Sequence, residues 1–403
     1  MGLPMSIQPL PSRLRVLLIA GTRPEALKLA PVWHELRRRL NFDVRLCVTG
    51  QHRRMLDQAL EAFAIVPDYD LDVMRDGQDL FSLTARCMEA LGDLFRGECS
   101  KESWRPDCVV VQGDTTTTLT GALSAFYAGI PVAHVEAGLR SGDPARPFPE
   151  EVNRRMVSQL ATLHFAPTER SAAALRAEGI AAAVVHVTGN TVVDALQATR
   201  ANGVPRWPVT DGRRLILVTG HRRESFGEGF QRICKALDRV ARRADVEIVY
   251  PVHLNPHVYQ PVHAILGGRD NIRLVEPMGY LPFVGLMEAS WIILTDSGGI
   301  QEEAPTLGKP VLVLRDVTER PEAVEAGVAR LVGSEVEGIV EAVRELLEDP
   351  DAYARMSQAG NPFGDGRAAE KIADILEEFL EHGGHGTKPL EHGNTRNDTE
   401  SMI

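Results

Sequence analysis

Three carboxylates, Asp114, Glu136 and Glu150, are the side chains of this sequence best suited to moving protons. Asp114 follows the apolar segment 107–111, and Glu136 follows the apolar segment 130–134. Glu150 comes after a loop rich in Pro, Gly and Arg. Open α/β sheets bind ligands at the carboxyl ends of their strands. Carboxylates that share one pocket push their pKa values apart, as general acid–base chemistry requires, so the pattern predicts an enzyme that moves protons.

Each carboxylate also has a simpler structural interpretation. Asp114 could cap the helix that begins near Thr115, and caps of this kind are common. Glu150 and Glu151 could open the next helix as acids of its first turn, and one of them is expected to do only that. Glu136 follows a mostly apolar run, so we expect it to be partly desolvated and able to titrate.

A second motif, TDSGGIQEE at 295–303, has the composition of a nucleotide-binding turn. Ser297, Gly298 and Gly299 offer small side chains at a predicted helix start, where backbone N–H groups and the helix dipole can hold a diphosphate. Glu303, one turn into that helix, could accept hydrogen bonds from two ribose hydroxyls. The alternative is an ordinary Ser cap followed by acidic residues. Together with the strand predicted downstream, the motif favours nucleotide binding.

The same type of strand-to-helix turn occurs twice. A strand at 15–20 leads into GTRPE, and a strand at 215–219 leads into GHRRE. Each turn would direct backbone N–H groups at an anion, which predicts the first β–α turns of two Rossmann-like domains. Arg23 and Lys28 could grip a phosphate, and His221 lies beside basic residues in its turn. The second and third glycines of GxGxxG are missing, which disfavours a dinucleotide cofactor.

The domain organisation follows from length and periodicity. At 403 residues the chain exceeds one ordinary core, and its alternating strands and amphipathic helices predict an α/β fold with parallel sheets. Pro and Gly interrupt the periodicity near 201–212, which predicts an N-terminal domain at 1–200 and a C-terminal domain at 201–367. A helix at 368–380 is predicted to pack back on the first domain, and the polar tail 381–403 is predicted to be disordered.

Composition limits the partners of the protein. The net charge of −11 argues against nucleic acid as the main ligand. The five cysteines are scattered, so neither a disulfide framework nor a structural zinc site is predicted. No apolar stretch approaches the ~18 residues of a membrane span, and no secretion signal is recognisable. We therefore expect a cytoplasmic protein that does not bind a membrane.

Eight motifs in order resemble the non-hydrolysing UDP-N-acetylglucosamine 2-epimerases. They are GTRPEALKLAP, QGDTTTT, HVEAGLRSGD, PFPEEVNR, TGNTVVDAL, TGHRRESFG, YPVHLNP and TDSGGIQEEAPTLGKPVL. The resemblance extends from about residue 15 to about residue 378. It implies two Rossmann-like parallel-sheet domains that face each other across a cleft, the GT-B arrangement.

The resemblance also implies a reaction. Members of this family interconvert UDP-N-acetylglucosamine and UDP-N-acetylmannosamine, usually as homodimers and without NAD or an essential metal. The expected course is elimination of UDP to 2-acetamidoglucal, followed by re-addition of UDP after carbon 2 is protonated from the opposite face. Asp114, Glu136 and Glu150 match the acid–base positions of the family, and His221 matches a position near the leaving diphosphate. The expected contacts to UDP are Arg23, Lys28, Phe283, Ser297, Gly298, Gly299, Glu303 and Arg320.

Bacterial members often bind a second UDP-N-acetylglucosamine as an activator. The matching positions in this sequence are Gln51, Arg54, Met55, Arg222 and His253. Arg54 departs from the family pattern, in which glutamine is common. This arginine could replace the usual contact or alter the activator site, and it could equally suit a carboxylate on the sugar.

The sequence is compatible with several functions. The leading hypothesis is the UDP-N-acetylglucosamine 2-epimerase, and the alternatives on the same fold are a 2-epimerase of a UDP-diacetamido uronic acid and a GT-B glycosyltransferase with a UDP-sugar donor. A hydrolysing epimerase would release free sugar. A nucleotide-sugar sensor would bind the ligand without turnover.

Overall fold

The computed structural model describes residues 13–51, 53–75, 77–97, 104–220, 222 and 226–384. His221 and residues 385–403 of the predicted tail lie outside the described residues. The chain forms two compact units. The first comprises Met1–Asp57, Ile65–Thr188 and Ala369–Ile403, and the second comprises Gln58–Ala64 and Gly189–Ala368. This division differs from the boundary at residue 200 that the sequence predicts.

The first unit contains a parallel sheet of seven strands in the order β3-β2-β1-β4-β5-β6-β7. Its strands are β1 (Leu14–Ala20), β2 (Phe42–Val48), β3 (Tyr69–Asp70), β4 (Cys108–Gln112), β5 (Val132–Val135), β6 (Leu163–Ala166) and β7 (Val185–Val187). The helices that alternate with them are α1 (Arg23–Arg38), α2 (Arg53–Ala62), α3 (Leu80–Arg96), α4 (Thr116–Tyr127), α5 (Glu150–Leu160) and α6 (Glu169–Ala177). Residues 58–62 of α2 belong to the second unit.

The second unit contains a parallel sheet of six strands in the order β10-β9-β8-β11-β12-β13. Its strands are β8 (Arg214–Thr219), β9 (Val246–Pro251), β10 (Ile272–Val275), β11 (Ile292–Thr295), β12 (Val311–Val313) and β13 (Ala329–Leu331). Its helices are α7 (Thr191–Ala201), α8 (Glu228–Val240), α9 (Pro256–Leu266), α10 (Tyr280–Ala289), α11 (Gly298–Glu303), α12 (Pro321–Glu325), α13 (Val336–Glu348) and α14 (Pro350–Ser357). Two parallel-sheet Rossmann-like units confirm the predicted fold class.

The central strands are buried on both faces because helices cover both sides of a parallel sheet. In β1, Val16, Leu17, Leu18 and Ile19 are each 0% exposed. Burial on both faces accounts for the form of these strands in the sequence, which is a continuous apolar run rather than an alternation of apolar and polar residues.

The strand order reverses at one point in each sheet, between β1 and β4 in the first and between β8 and β11 in the second. Ligands of open α/β sheets bind at this topological switch point, outside the carboxyl ends of the strands. The turns after β1 and β4 contain GTRPE and Asp114, and the segments after β8 and β11 begin with Gly220 and contain the SGG residues, respectively. Arg23 and Asp114 of the first unit, and the SGG segment of the second, thus lie at the switch points.

The C-terminal helix α15 (Ala368–Glu381) packs on the first unit. Arg39 donates hydrogen bonds to Asp374 at 2.6 Å and to Glu377 at 2.7 Å. Ile372 and Leu376 are each 0% exposed, so the helix contributes to the core of that unit. No helix in the described part of the chain is long and apolar enough to cross a membrane.

Candidate active site

Glu136 lies directly after β5 in a left-handed backbone conformation, with φ of +64°. Its carboxylate forms an ion pair with Lys28 and accepts a hydrogen bond from the side-chain amide of Gln112 at the end of β4. Only 7% of the Glu136 side chain and 10% of the Lys28 side chain are exposed. Glu136 is therefore desolvated, as the sequence predicts. Lys28, which the resemblance assigns to UDP, contacts this carboxylate.

Asp114 lies in the turn after β4, and helix α5 holds it in place. Arg154 donates to Asp114 Oδ2 from Nε at 3.1 Å and from Nη2 at 2.5 Å. Asn153 donates to the main-chain oxygen of Asp114 at 2.9 Å. Thr115 is the residue that caps α4, because its side chain accepts from the Thr118 N–H. The interpretation of Asp114 as the helix cap is therefore wrong.

The adjacent residues Glu150 and Glu151 have different environments at the start of α5. Glu151 is 0% exposed and accepts hydrogen bonds from the backbone of Ser141 at 2.9 Å and of Gly142 at 3.3 Å. Burial raises the pKa of Glu151, but the hydrogen bonds from Ser141 and Arg155 and the charge of Arg154 together hold the pKa below its ordinary value. Glu151 thus fixes the preceding loop, and Glu150, the first residue of the helix, is the partly exposed member of the pair.

Arg154 connects this structural carboxylate to the predicted acid–base group. Its Nη1 lies 3.3 Å from Glu151 Oε2, while its Nε and Nη2 contact Asp114. The side chain of Arg154 is only 9% exposed. The position of Asp114 therefore depends on α5 and on the loop that precedes it.

A buried histidine supports the same turn. His134, on β5, is 0% exposed, and its Nε2 lies 2.7 Å from the carbonyl oxygen of Gly113. A carbonyl can only accept, so Nε2 carries the proton in this contact. Burial lowers the pKa of His134 to about 3. The imidazole is neutral at physiological pH and acts as a fixed donor to the turn that carries Asp114.

In the second unit, Arg320 lies beside the start of helix α11. A Cβ placed on Gly298 would be 3.7 Å from the Arg320 guanidinium carbon, and Arg320 Nε lies 2.5 Å from Glu302 Oε1. Ser297 occupies the N-cap position of α11, yet its side chain makes no capping hydrogen bond within the described residues. Ser297 therefore has the position of an ordinary cap but not its hydrogen bond. Gly299 is the second residue of the helix.

Glu303 ends helix α11 and is 8% exposed. It accepts a hydrogen bond from the hydroxyl of Tyr280 at 2.9 Å. Phe283, predicted to lie near the uracil, is on the same helix as Tyr280, α10. One helix therefore supplies both the residue that holds Glu303 and the predicted uracil contact.

The remaining predicted residues lie at strand or helix ends of the two units. Arg23 is the first residue of α1, and it is partly exposed. Gln51 accepts from the Thr117 hydroxyl at 3.1 Å. Arg54 and Met55 lie in the first turn of α2, and both are exposed. The predicted activator contacts of the second unit are Arg222, whose N–H donates to Asp296 at 2.8 Å, and His253, whose Nδ1 accepts from the Asn255 N–H at 3.1 Å.

A family model described as UDP-N-acetylglucosamine 2-epimerase matches residues 34–377. The chain belongs to the UDP-N-acetylglucosamine 2-epimerase family. Within that family, the UDP-N-acetylglucosamine 2-epimerase of Yersinia pestis is 53% identical over 376 residues, which cover 90% of this chain and 98% of the relative.

Solved structures of the family share the fold of this member. The crystal structure of UDP-GlcNAc 2-epimerase from Neisseria meningitidis bound to UDP-GlcNAc matches with a TM-score of 0.83 and 46% identity, covering 91% of this chain and 100% of that one. The Methanocaldococcus jannaschii enzyme in complex with UDP-GlcNAc and UDP matches with a TM-score of 0.73 and 34% identity, with the same coverage of 91% and 100%.

Three buried residues of this family member are absent from the sequence-based site: Gln112, Arg154 and Glu25. Gln112 and Arg154 contact predicted carboxylates that are distant in sequence, and no local pattern indicates such contacts. Glu25 follows Thr22 with the T-x-x-E spacing of a capping box. That signal could have identified Glu25 as a residue that binds the turn backbone.

Proposed function

We propose that the protein interconverts UDP-N-acetylglucosamine and UDP-N-acetylmannosamine. The observation that carries this proposal is the pair of firmly held carboxylates Asp114 and Glu136, which follow the neighbouring strands β4 and β5 of the first sheet. Membership in the epimerase family supports it. The second unit contributes a glycine turn with Arg320 beside it, a combination suited to a diphosphate.

The reaction requires both carboxylates that move protons and groups that neutralise a diphosphate. Hydrogen at carbon 2 of the sugar is not acidic, so a base removes this proton as the bond between carbon 1 and the UDP oxygen breaks. A double bond forms between carbons 1 and 2, and UDP departs with the electron pair. Arg23, Arg320, His221 and the start of α11 are the proposed groups that neutralise the departing diphosphate.

Protonation of the intermediate and re-addition of UDP complete the epimerisation. An acid delivers a proton to the opposite face of carbon 2, and a phosphate oxygen of UDP attacks carbon 1. A base on one face and an acid on the other require more than one carboxylate. We assign these roles to Asp114, Glu136 and Glu150 as a set. Phe283, Ser297, Gly298, Gly299 and Glu303 are the proposed uridine and phosphate contacts, and Lys28 orients Glu136 as well as contacting UDP.

Solvent exchange tests the proposal directly. Incubation with UDP-N-acetylglucosamine in deuterated water is expected to place deuterium at carbon 2 of the recovered nucleotide sugar. Asp114→Asn and Glu136→Gln are each expected to lower turnover by ~10²-fold or more, as loss of a general acid or base does. Wild-type protein that incorporates no deuterium, with or without added activator, would refute the epimerase function.

Asp107 provides a matched control for Asp114. It precedes β4 at the opposite end of the strand, and it pairs with an arginine too, since Arg15 Nη2 lies 3.0 Å from Asp107 Oδ1. Asp107→Asn also removes a carboxylate–arginine pair, but it is expected to keep normal turnover. Equal losses in Asp107→Asn and Asp114→Asn would show that the effect on turnover comes from the fold and not from the site.

We also propose that a second UDP-N-acetylglucosamine activates the enzyme through Gln51, Arg54, Met55, Arg222 and His253. The exposed positions of Arg54 and Met55 support this role. UDP-N-acetylmannosamine alone is then expected to react slowly until UDP-N-acetylglucosamine is added. Immediate full reaction with UDP-N-acetylmannosamine alone would refute activation, and a panel of UDP-sugars tests whether Arg54 selects a uronic acid.

Two further proposals concern assembly and location. We propose a homodimer, because the adjacent helices α4 and α5 expose Phe126, Tyr127, Val152 and Met156, and light scattering should give twice the chain mass.

We propose a cytoplasmic location because the described cysteines Cys47, Cys87, Cys108 and Cys234 are free and buried, which suits a reducing compartment.

A further inference from the structure

Glu25, near the start of α1, is a buried carboxyl group that joins two turns of the first sheet. It is 1% exposed. Its Oε2 accepts from the N–H groups of Gly21 at 3.0 Å and of Thr22 at 2.7 Å. Its Oε1 lies 2.6 Å from Thr115 Oγ1 and 2.9 Å from Thr118 Oγ1. One side chain thus links the turn after β1 to the turn after β4.

Both turns carry residues of the proposed site. Thr22 is followed directly by Arg23, the proposed phosphate contact, and Thr115 is preceded directly by Asp114, the proposed acid–base group. The distance between Arg23 and Asp114 at the switch point is therefore set in part by the length of the Glu25 side chain.

The protons in this network can be counted. Thr118 Oγ1 lies 2.7 Å from the carbonyl oxygen of Gln112 and 2.9 Å from Glu25 Oε1. A threonine hydroxyl has a single proton, and the Gln112 carbonyl has none. If Glu25 were ionised, one of these two short oxygen–oxygen contacts would have no hydrogen between its atoms.

A proton on Glu25 Oε1 removes this conflict. Glu25 then donates to Thr118, Thr118 donates to the Gln112 carbonyl, and Thr115 donates to Glu25 Oε1, while Oε2 remains the acceptor of the two backbone N–H groups. All of the hydrogen-bond partners of Glu25 in the described part of the chain are neutral. Burial raises the pKa of Glu25 above its ordinary value, and the hydrogen bonds from Thr115, Thr22, Gly21 and Thr118 lower it by less.

We propose that Glu25 is a positioning residue that, as an uncharged carboxylic acid, fastens the turn carrying Arg23 to the turn carrying Asp114. Its effect on turnover rests on the function proposed above. An uncharged Glu25 predicts that glutamine can replace it, since the amide oxygen can accept from the two N–H groups and the amide nitrogen can donate to the threonine hydroxyls.

Two substitutions of Glu25 separate charge from position. Glu25→Gln is expected to keep turnover within about threefold of wild type. Glu25→Leu, of similar size but without polar atoms, is expected to lower kcat by roughly 10²-fold, the loss that a displacement of about 1 Å can cause in a catalytic group. Equal large losses in Glu25→Gln and Glu25→Leu would overturn the uncharged state, because the amide keeps the contacts of Glu25, with the direction of the Thr115 hydrogen bond reversed, and lacks only the charge of a carboxylate.

A threonine pair keeps the test valid if Glu25→Leu does not fold. Thr115 caps α4 and contacts Glu25, whereas Thr168 caps α6 in the same way and lies outside this network. Thr115→Val and Thr168→Val both remove a helix cap, so similar decreases in Tm are expected. Only Thr115→Val is expected to lower kcat, by about tenfold or more. Equal kcat values in the two variants would overturn the positioning role.

An infrared measurement is independent of the reaction. The difference spectrum between wild type and Glu25→Gln is expected to contain the C=O stretch of a protonated carboxylic acid. A carboxylate band in its place would overturn the proposal even if the enzyme is an epimerase. Absence of deuterium exchange in wild type would refute the proposed function, and the infrared result would still decide the state of Glu25.

Discussion

Replacing Lys28 by methionine tests how strongly the ion pair with Glu136 holds the proposed site together. The two side chains are only 10% and 7% exposed, so little solvent is available to screen the charge that would remain on Glu136. Removing one partner of a buried ion pair typically costs about 3–5 kcal/mol of stability. We expect Lys28→Met to destabilise the first unit by that amount and to lower turnover through displacement of Glu136.

Backbone hydrogen exchange followed by mass spectrometry is the suitable assay, because it reports on α1 and β5 separately from the second unit. The double variant Lys28→Met/Glu136→Gln is expected to lose less free energy of unfolding than the two single variants lose in sum. The difference, which is the coupling energy, should be about 0.5–3 kcal/mol. The pair Arg38–Glu35 on the same helix is a control, since the Arg38 side chain is 72% exposed, and Arg38→Met should cost less than about 1 kcal/mol.

A stability loss in Lys28→Met no larger than that in Arg38→Met would contradict this reasoning. So would strict additivity of the Lys28 and Glu136 substitutions, because two groups that stabilise each other cannot have independent effects. A rise in KM without any change in kcat would show that Lys28 acts only on substrate binding.

Three further predictions concern the two sheets. Gly21→Ala places a Cβ 2.1 Å from Thr117 Oγ1, so we expect a loss of about 1–3 kcal/mol, measured by hydrogen exchange. Burial lowers the pKa of His164 to about 4 from 6.5. Between pH 4 and pH 6.5 the unfolded chain therefore binds more protons than the folded chain. The free energy of unfolding falls by about 3 kcal/mol as the pH drops from 6.5 towards 4, and His164→Phe should flatten the dependence of Tm on pH. Glu303→Gln should weaken UDP binding about tenfold in calorimetry and Tyr280→Phe less, since Tyr280 only holds the carboxylate.

The sequence was sufficient to predict the positions that follow the central strands. Asp114 and Glu136 each follow an apolar run, and such runs identify buried parallel strands without knowledge of the rest of the chain. The SGG turn could also be located from local pattern, because small residues between a strand and a helix are typical of turns that bind phosphate groups. Local signals of this kind gave the fold class and most of the candidate site.

Contacts between distant segments were not predictable from local pattern. Lys28 and Glu136 are 108 positions apart, and their pairing depends on the sheet order, in which β1 and β5 lie on the two sides of β4. The role of Arg154 likewise depends on the path of the loop before α5. A capping-box spacing pointed to Glu25, but only the structure shows that its second oxygen contacts the other turn.

Helix α5 determines how the proposed acid–base groups respond to any change in shape. Its first residue is Glu150, and its second turn grips Asp114 through Arg154. The two carboxylates are consequently both attached to one helix. Because the Ser141 and Gly142 N–H groups hold Glu151 within the same helix, a substitution of Glu151 would disturb both carboxylates without altering either of them.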